Sequence, residues 1–152
     1  MIALASDHAG FALKEQVKQW LADWGEFVFD HGCFSESSVD YPDYAAKALR
    51  AMLTCQADRG ILICGSGIGM SITANRFKGI RAALVNTVET AKLCRQHNNA
   101  NVLVLAGRTT PPEIAKEIVK AWLKTPFEGG RHRERLEKID RIADEIDTKP
   151  CL

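Results

Sequence analysis

Cys64 is the residue in this chain best placed to do chemistry. It closes a short apolar run, Arg59-Gly60-Ile61-Leu62-Ile63-Cys64, and three glycines at every second position follow it, Gly65, Gly67 and Gly69. Ser71 to Asn75 then reads as a helix. A buried strand, a tight turn and a helix start aim several backbone N–H groups at one spot, where the helix dipole also favours negative charge. Thiols in such a setting ionise more readily than a free thiol, whose pKa is ~8.5. The arrangement suits a base or nucleophile beside an anion or oxyanion. It is not a Walker loop, because no Gly-Lys-Ser/Thr follows. Met70 occupies the place of the third glycine of a dinucleotide fingerprint, and of the arginine in the Cys-x5-Arg loop of tyrosine phosphatases. Nor is Ser66 in a nucleophile elbow, since Cys64 sits where the first glycine belongs.

Two histidines and a set of arginines could work with this thiol. His8 follows the apolar run Ile2 to Ala5 directly, in Ser6-Asp7-His8-Ala9-Gly10, so it belongs on the same rim as Cys64. His97-Asn98-Asn99 ends a helix and is expected near that same strand-end edge. Arg108 lies just past another apolar run, on the edge where open α/β sheets bind ligands. Arg131 and Arg135 are four apart and share a helix face. Guanidiniums at a helix start, where the dipole disfavours cations, are explained by a dianion held between them. The alternative is a solvated face paired with Glu134 and Glu137. Together these residues sketch a phosphate pocket opposite a thiol. His31 and His132 have no comparable context.

The elements that must position these groups follow from hydrophobic period. Ile2–Ala5, Phe27–Asp30, Arg59–Cys64, Arg81–Val85 and Val102–Ala106 read as strands. Leu13, Val17, Trp20, Leu21 and Trp24 fall on one face of a first helix, with Lys14, Glu15, Lys18 and Asp23 between them, and Gly25 ends it. Pro42 opens a helix to about Leu53, Thr87 to His97 forms another, and Pro111-Pro112 opens the next. A last helix from about Arg131 to Asp147 carries Leu136, Ile139, Ala143 and Ile146 on one stripe. Strand and helix alternate, which implies a parallel sheet covered on both faces. That sheet is already covered by its crossover helices, so the last stripe is expected to pack on a second subunit.

Composition narrows the function classes. The chain has 152 residues, 46% hydrophobic and 26% charged, with net charge +1. It reads as one domain, residues 1–152, with neither the basic excess of a nucleic-acid binder nor a membrane-length apolar run. The cysteines Cys33, Cys55, Cys64, Cys94 and Cys151 are odd in number and include no CxxC pair. They suggest neither a disulfide framework nor a zinc site, and point to a reducing compartment, the cytoplasm. All but Cys64 are read as structural.

The assembled motifs resemble the ribose-5-phosphate isomerase B family, which includes the galactose-6-phosphate type. The matching pieces include Ser6-Asp7-His8-Ala9-Gly10, Asp40-Tyr41-Pro42, Gly60 to Gly69, Arg95-Gln96-His97-Asn98, Gly107-Arg108 and Gly129-Gly130-Arg131-His132. They are collinear through about Arg135. The resemblance implies a three-layer α/β/α sandwich around a Rossmann-like, mostly parallel five-stranded sheet. It also implies a homodimer or dimer of dimers whose active sites borrow residues from both subunits, with no metal and no cofactor. Carried over by motif, Cys64 is the base that moves a proton between two carbons and His97 opens the furanose. Ser66 supplies a hydroxyl where some relatives have threonine. Asp7, Asn98 and the backbone of Gly65, Gly67, Ile68 and Gly69 hold the sugar; His8, Arg108, Arg131 and Arg135 hold the phosphate. In another branch a glutamate at the position of Met70 is the base, so this chain belongs with the cysteine type. Ribose 5-phosphate and ribulose 5-phosphate are the leading substrate pair. Alternatives are another aldose phosphate (allose or galactose 6-phosphate, or erythrose 4-phosphate), or a non-catalytic binder of sugar phosphate or nucleotide.

Overall fold

The structure, a computed structural model, describes residues 1–145. The expected last turn of the final helix, with Ile146 and Asp147, and Cys151 lie outside the described residues. Five strands form one sheet: β1 (Ile2–Ser6), β2 (Val28–Asp30), β3 (Arg59–Cys64), β4 (Ala82–Leu84) and β5 (Val102–Ala106). Their order is β2-β1-β3-β5-β4, and every neighbouring pair is parallel. The chain leaves β1 toward β2 and then returns to lay β3 on β1's other side. Such a reversal of strand order opens a crevice at the carboxyl ends of the strands, here between β1 and β3.

The helices are α1 (Phe11–Asp23), α2 (Tyr41–Leu53), α3 (Ile68–Ala74), α4 (Val88–Gln96), α5 (Pro112–Lys124) and α6 (Arg131–Glu145). Strand side chains alternate between two cores. Leu4, Ile61, Ile63, Leu103 and Leu105 pack with α1, α4 and α5. Ala3, Ala5, Leu62, Cys64 and Val104 pack with α2 and α3. β1 and β5 are buried along their whole length, and β3 from Gly60 onward. Central parallel strands covered on both faces take that near-continuous apolar form. Local chemistry sets the helix ends. Gly25, at φ +77°, turns the chain out of α1, and Pro42 lies in the first turn of α2. Thr87 and Thr90 cap α4 reciprocally.

Two features depart from hydrophobic periodicity. Lys14, which falls among the polar positions of α1, has a side chain with no solvent exposure. Its Nζ donates to Asp30 Oδ2 at 2.5 Å and to Glu15 Oε1 at 2.7 Å, and Lys18 donates to both carboxylates. Buried charge survives only when paired in this way. Second, α6 buries only His132 and Leu136. Ile139 and Ile142 remain 58% and 42% exposed, so the apolar stripe of α6 stays largely uncovered in the single chain.

Candidate active site

The carboxyl edge is built by backbone. Gly107 N–H donates to Cys64 O at 2.8 Å, and Arg108 N–H to Gly65 O at 3.1 Å, so the turns after β3 and β5 brace each other. Gly67 starts α3 at φ +76°, a left-handed conformation that L side chains resist,. A Cβ there would also collide with Leu84 Cδ1 and crowd Leu105 O. This geometry turns the Gly67 N–H back onto Cys64 Sγ, at 3.2 Å. The thiol is nearly buried, with Met70 buried in the same core.

Around the thiol lies an open cleft of about 340 Å³, lined by Asp7, His8, Ala9, Tyr41, Cys64, Gly65, Ser66, Gly69 and Arg108. Asp7 is fixed by accepting the Gly10 N–H at 3.0 Å. His8 Nδ1 is held at the Val39 backbone, 3.2 Å from both its N–H and its carbonyl oxygen. Hollows beside Trp24 and between α4 and α5 rival the cleft in volume, but neither brings a thiol or imidazole to a glycine turn. The expected grouping of Asp7, His8, Cys64, Ser66, the glycine turn and Arg108 is therefore assembled within one chain.

His97 and Asn98 are not part of it. α4 links the end of β4 to the start of β5, so it runs antiparallel to the strands and ends at their amino edge. Ala100 N–H donates to Cys94 O at 3.0 Å, and Arg95 Nη1 donates to Ala100 O at 2.7 Å, fastening that corner just before β5. The expectation that His97 stands near the rim of Cys64 is corrected for the single chain: the two occupy opposite edges. α5 descends the same way, and Glu128 N–H donates to Gln96 O at 3.1 Å, bringing the start of α6 to His97. Arg131 and Arg135 are exposed there, so they too lie away from the thiol.

At this amino edge the rings of His97 and His132 stack, with centroids 4.3 Å apart and planes 9° apart. His132 Nε2 lies 3.5 Å from Glu128 Oε2. Burial lowers the His132 pKa, and the neighbouring His97 and Arg131 lower it further, against the opposing pull of Glu128. Sequence reasoning passed over His132, whose partner Glu128 lies before α6 across the Gly129-Gly130 turn. It also passed over Tyr41, whose ring occupies the space a Cβ on Gly69 would fill. Cys94 fits its structural reading: burial pushes its thiol up to about 11, and Sγ donates to Ala91 O at 3.2 Å.

An all-parallel α/β sheet with a thiol, a glycine turn and polar side chains at its switch point has the layout in which doubly wound folds bind small molecules. The pattern of the ribose/galactose isomerase family matches residues 2–139. Escherichia coli ribose-5-phosphate isomerase B is 46% identical over 141 residues, 93% of this chain and 95% of that protein. The crystal structure of a Thermotoga maritima ribose 5-phosphate isomerase superposes with a TM-score of 0.90 at 58% identity, covering 92% of this chain and 97% of the other. A Mycoplasma genitalium ribose-5-phosphate isomerase B, solved with bound ribulose 5-phosphate, gives 0.88 at 43% identity, covering 95% and 96%. The chain belongs to this family of isomerases, in its ribose-5-phosphate isomerase B branch.

Proposed function

We propose that the protein interconverts ribose 5-phosphate and ribulose 5-phosphate through an enediolate, with Cys64 as the base. The observation that carries this reading is the Gly67 N–H held 3.2 Å from Cys64 Sγ at the mouth of a polar cleft. A proton α to a carbonyl is weakly acidic, so the developing oxyanion must be stabilised while a base removes the proton. Fixed backbone donors in a water-poor site supply the first need, at ~10²–10³-fold per donor. A thiolate beside those donors supplies the second. It takes the proton from C2 of the open-chain aldose as the electrons move to the C1 oxygen; a proton then passes from the C2 hydroxyl to the C1 oxygen, and the thiol returns its proton to C1 as the C2 carbonyl forms. Ser66 offers its hydroxyl at the cleft. Asp7 and the backbone of the turn through Gly65, Gly67, Ile68 and Gly69 hold the sugar, while His8 and Arg108 face the phosphate. The ribulose 5-phosphate bound to the Mycoplasma genitalium relative supports this substrate pair.

The remaining parts come from a second copy. His97 opens the furanose ring, Asn98 holds the sugar, and Arg131 and Arg135 hold the phosphate, all supplied by the partner subunit in a homodimer or dimer of dimers. What supports this is the separation of the two groups on opposite edges, together with apolar surface on both. Ile68 and Ile72 of α3 are 55% and 60% exposed beside the thiol, and the α6 stripe is uncovered beside His97. Cys33, Cys55, Cys64 and Cys94 are all free, in keeping with the cytoplasm. A coupled assay across ribose, allose, galactose and erythrose phosphates tests the substrate. Ribose 5-phosphate should give the highest kcat/KM, and Cys64→Ala should lower its kcat by about 10³-fold or more with ligand binding retained. A variant of Cys64 with full turnover would remove the thiol from the mechanism.

A further inference from the structure

We propose that His97, Glu128 and His132 form a binding site for a borderline divalent cation, zinc above all, at the amino edge of the sheet. One ligand atom from each of the three lies within 4.8 Å of the others. They come from two separate segments, the end of α4 and the approach to α6, pinned together by the Glu128 N–H bond to Gln96 O. Two imidazoles and a carboxylate are a recognised zinc set, leaving a fourth position open, with bonds of ~2.0–2.2 Å. A tetrahedral arrangement of such bonds places donor atoms roughly 3.4 Å apart. Glu128 Oε2 and His132 Nε2 are already 3.5 Å apart.

The remaining adjustment falls on His97. Its ring is parallel to that of His132, so their lone pairs do not yet converge. A cation must splay the stack, turning His97 by a side-chain rotation and closing the longest separation by about 1.4 Å. His97 is only partly buried and Glu128 is exposed, so neither is locked by packing. The guanidiniums of Arg131 and Arg135 oppose a cation, but both are exposed and their repulsion is screened by salt. Two nitrogens and one oxygen favour zinc, nickel or copper over magnesium or calcium.

Occupation would tie up a nitrogen of His97. Zinc would then inhibit the isomerase without being its cofactor; this consequence rests on the proposed role of His97, whereas the binding does not. The test uses chelator-treated protein titrated with zinc against a chromogenic chelator, with cobalt spectra recorded in parallel. Wild type and Cys64→Ser should each bind one ion per chain, with cobalt bands free of sulfur charge transfer. Glu128→Gln and His132→Asn should each weaken binding at least about tenfold, and magnesium should not compete. Equal affinity in wild type and Glu128→Gln, or loss of the site in Cys64→Ser, overturns the proposal. Binding with these properties but without inhibition supports the site and counts against the ring-opening role of His97.

Discussion

At the carboxyl edge of the sheet, main-chain geometry holds the chemistry in place; at the amino edge, side chains on a scarcely packed helix hold it. Cys64 is fixed by the Gly67 N–H and by a turn braced through Gly107 and Arg108. His97 is positioned by a stacked ring and by one backbone bond from Glu128 to Gln96. The first group is preorganised inside the chain, as oxyanion stabilisation requires. The second sits where α6 leaves an apolar stripe uncovered, and needs a further surface to complete it. On the proposed reading this is a division of labour: the carboxyl edge does the carbon chemistry, the partner's amino edge opens the ring, and both edges contact the phosphate.

With Cys64 itself left in place, the largest expected effect contrasts two left-handed glycines. Gly67→Ala forces a Cβ into Leu84 at φ +76° and shifts the donor to Cys64; kcat should fall about 10²-fold or more. Gly79, at φ +83° near the amino edge, has open space around it. Gly79→Ala should cost only about 1 kcal/mol of stability, measured by urea unfolding, with kcat unchanged. Equal losses of kcat in both would mean that the turn at Gly67 has no catalytic precision to lose.

A smaller effect tests the brace beneath the carboxyl edge. Asp30→Asn removes one partner of Lys14, whose side chain is fully buried, and leaves Glu15. The cost should be about 2 kcal/mol at neutral pH, less than for a buried pair broken outright. Burial alone would raise the Asp30 pKa, but hydrogen bonds from Lys14, Gly32 and Lys18 prevail and hold it below 3.8. A depressed carboxylate stabilises the fold above its unfolded pKa and loses that contribution as pH falls through the folded value. The stability gap between wild type and Asp30→Asn should therefore be full above about pH 5 and close below pH 3.8,. A gap independent of pH would place the effect in packing instead. The smallest effect concerns the amino edge: Arg131→Ala should raise KM for the sugar phosphate about tenfold and leave kcat nearly intact. A loss confined to kcat would contradict a binding role.

Much of this architecture was legible in the sequence, for physical reasons that differ by residue. Arg59–Cys64 reads as a strand because a short apolar run before glycines has few other uses, and the structure gives the same bounds. The rim shared by Cys64, His8 and Arg108 follows from parallel strands ending together. The side of His97 was also in reach, since a helix joining parallel strands must return to the amino edge; a residue at the end of that helix cannot share the rim. Burial of Lys14 was not legible, because helical period places it among polar neighbours, and only the tertiary approach of Asp30 compensates its charge. The pairing of His97 with His132 lies in the contact between α4 and the start of α6, which no local pattern encodes.

The central claim, that each active site joins Cys64 of one chain to His97 of another, can be tested by mixing two dead proteins. Cys64→Ala and His97→Asn are each made as homo-oligomers, shown to be inactive, then unfolded and refolded together. In a two-fold dimer, half of the randomly paired species are mixed, and each mixed dimer regains one intact site. Activity should return to about a quarter of the wild-type level per chain. No recovery, with mixed dimers demonstrated by mass spectrometry, would mean that both residues act within one chain or that they do not act together.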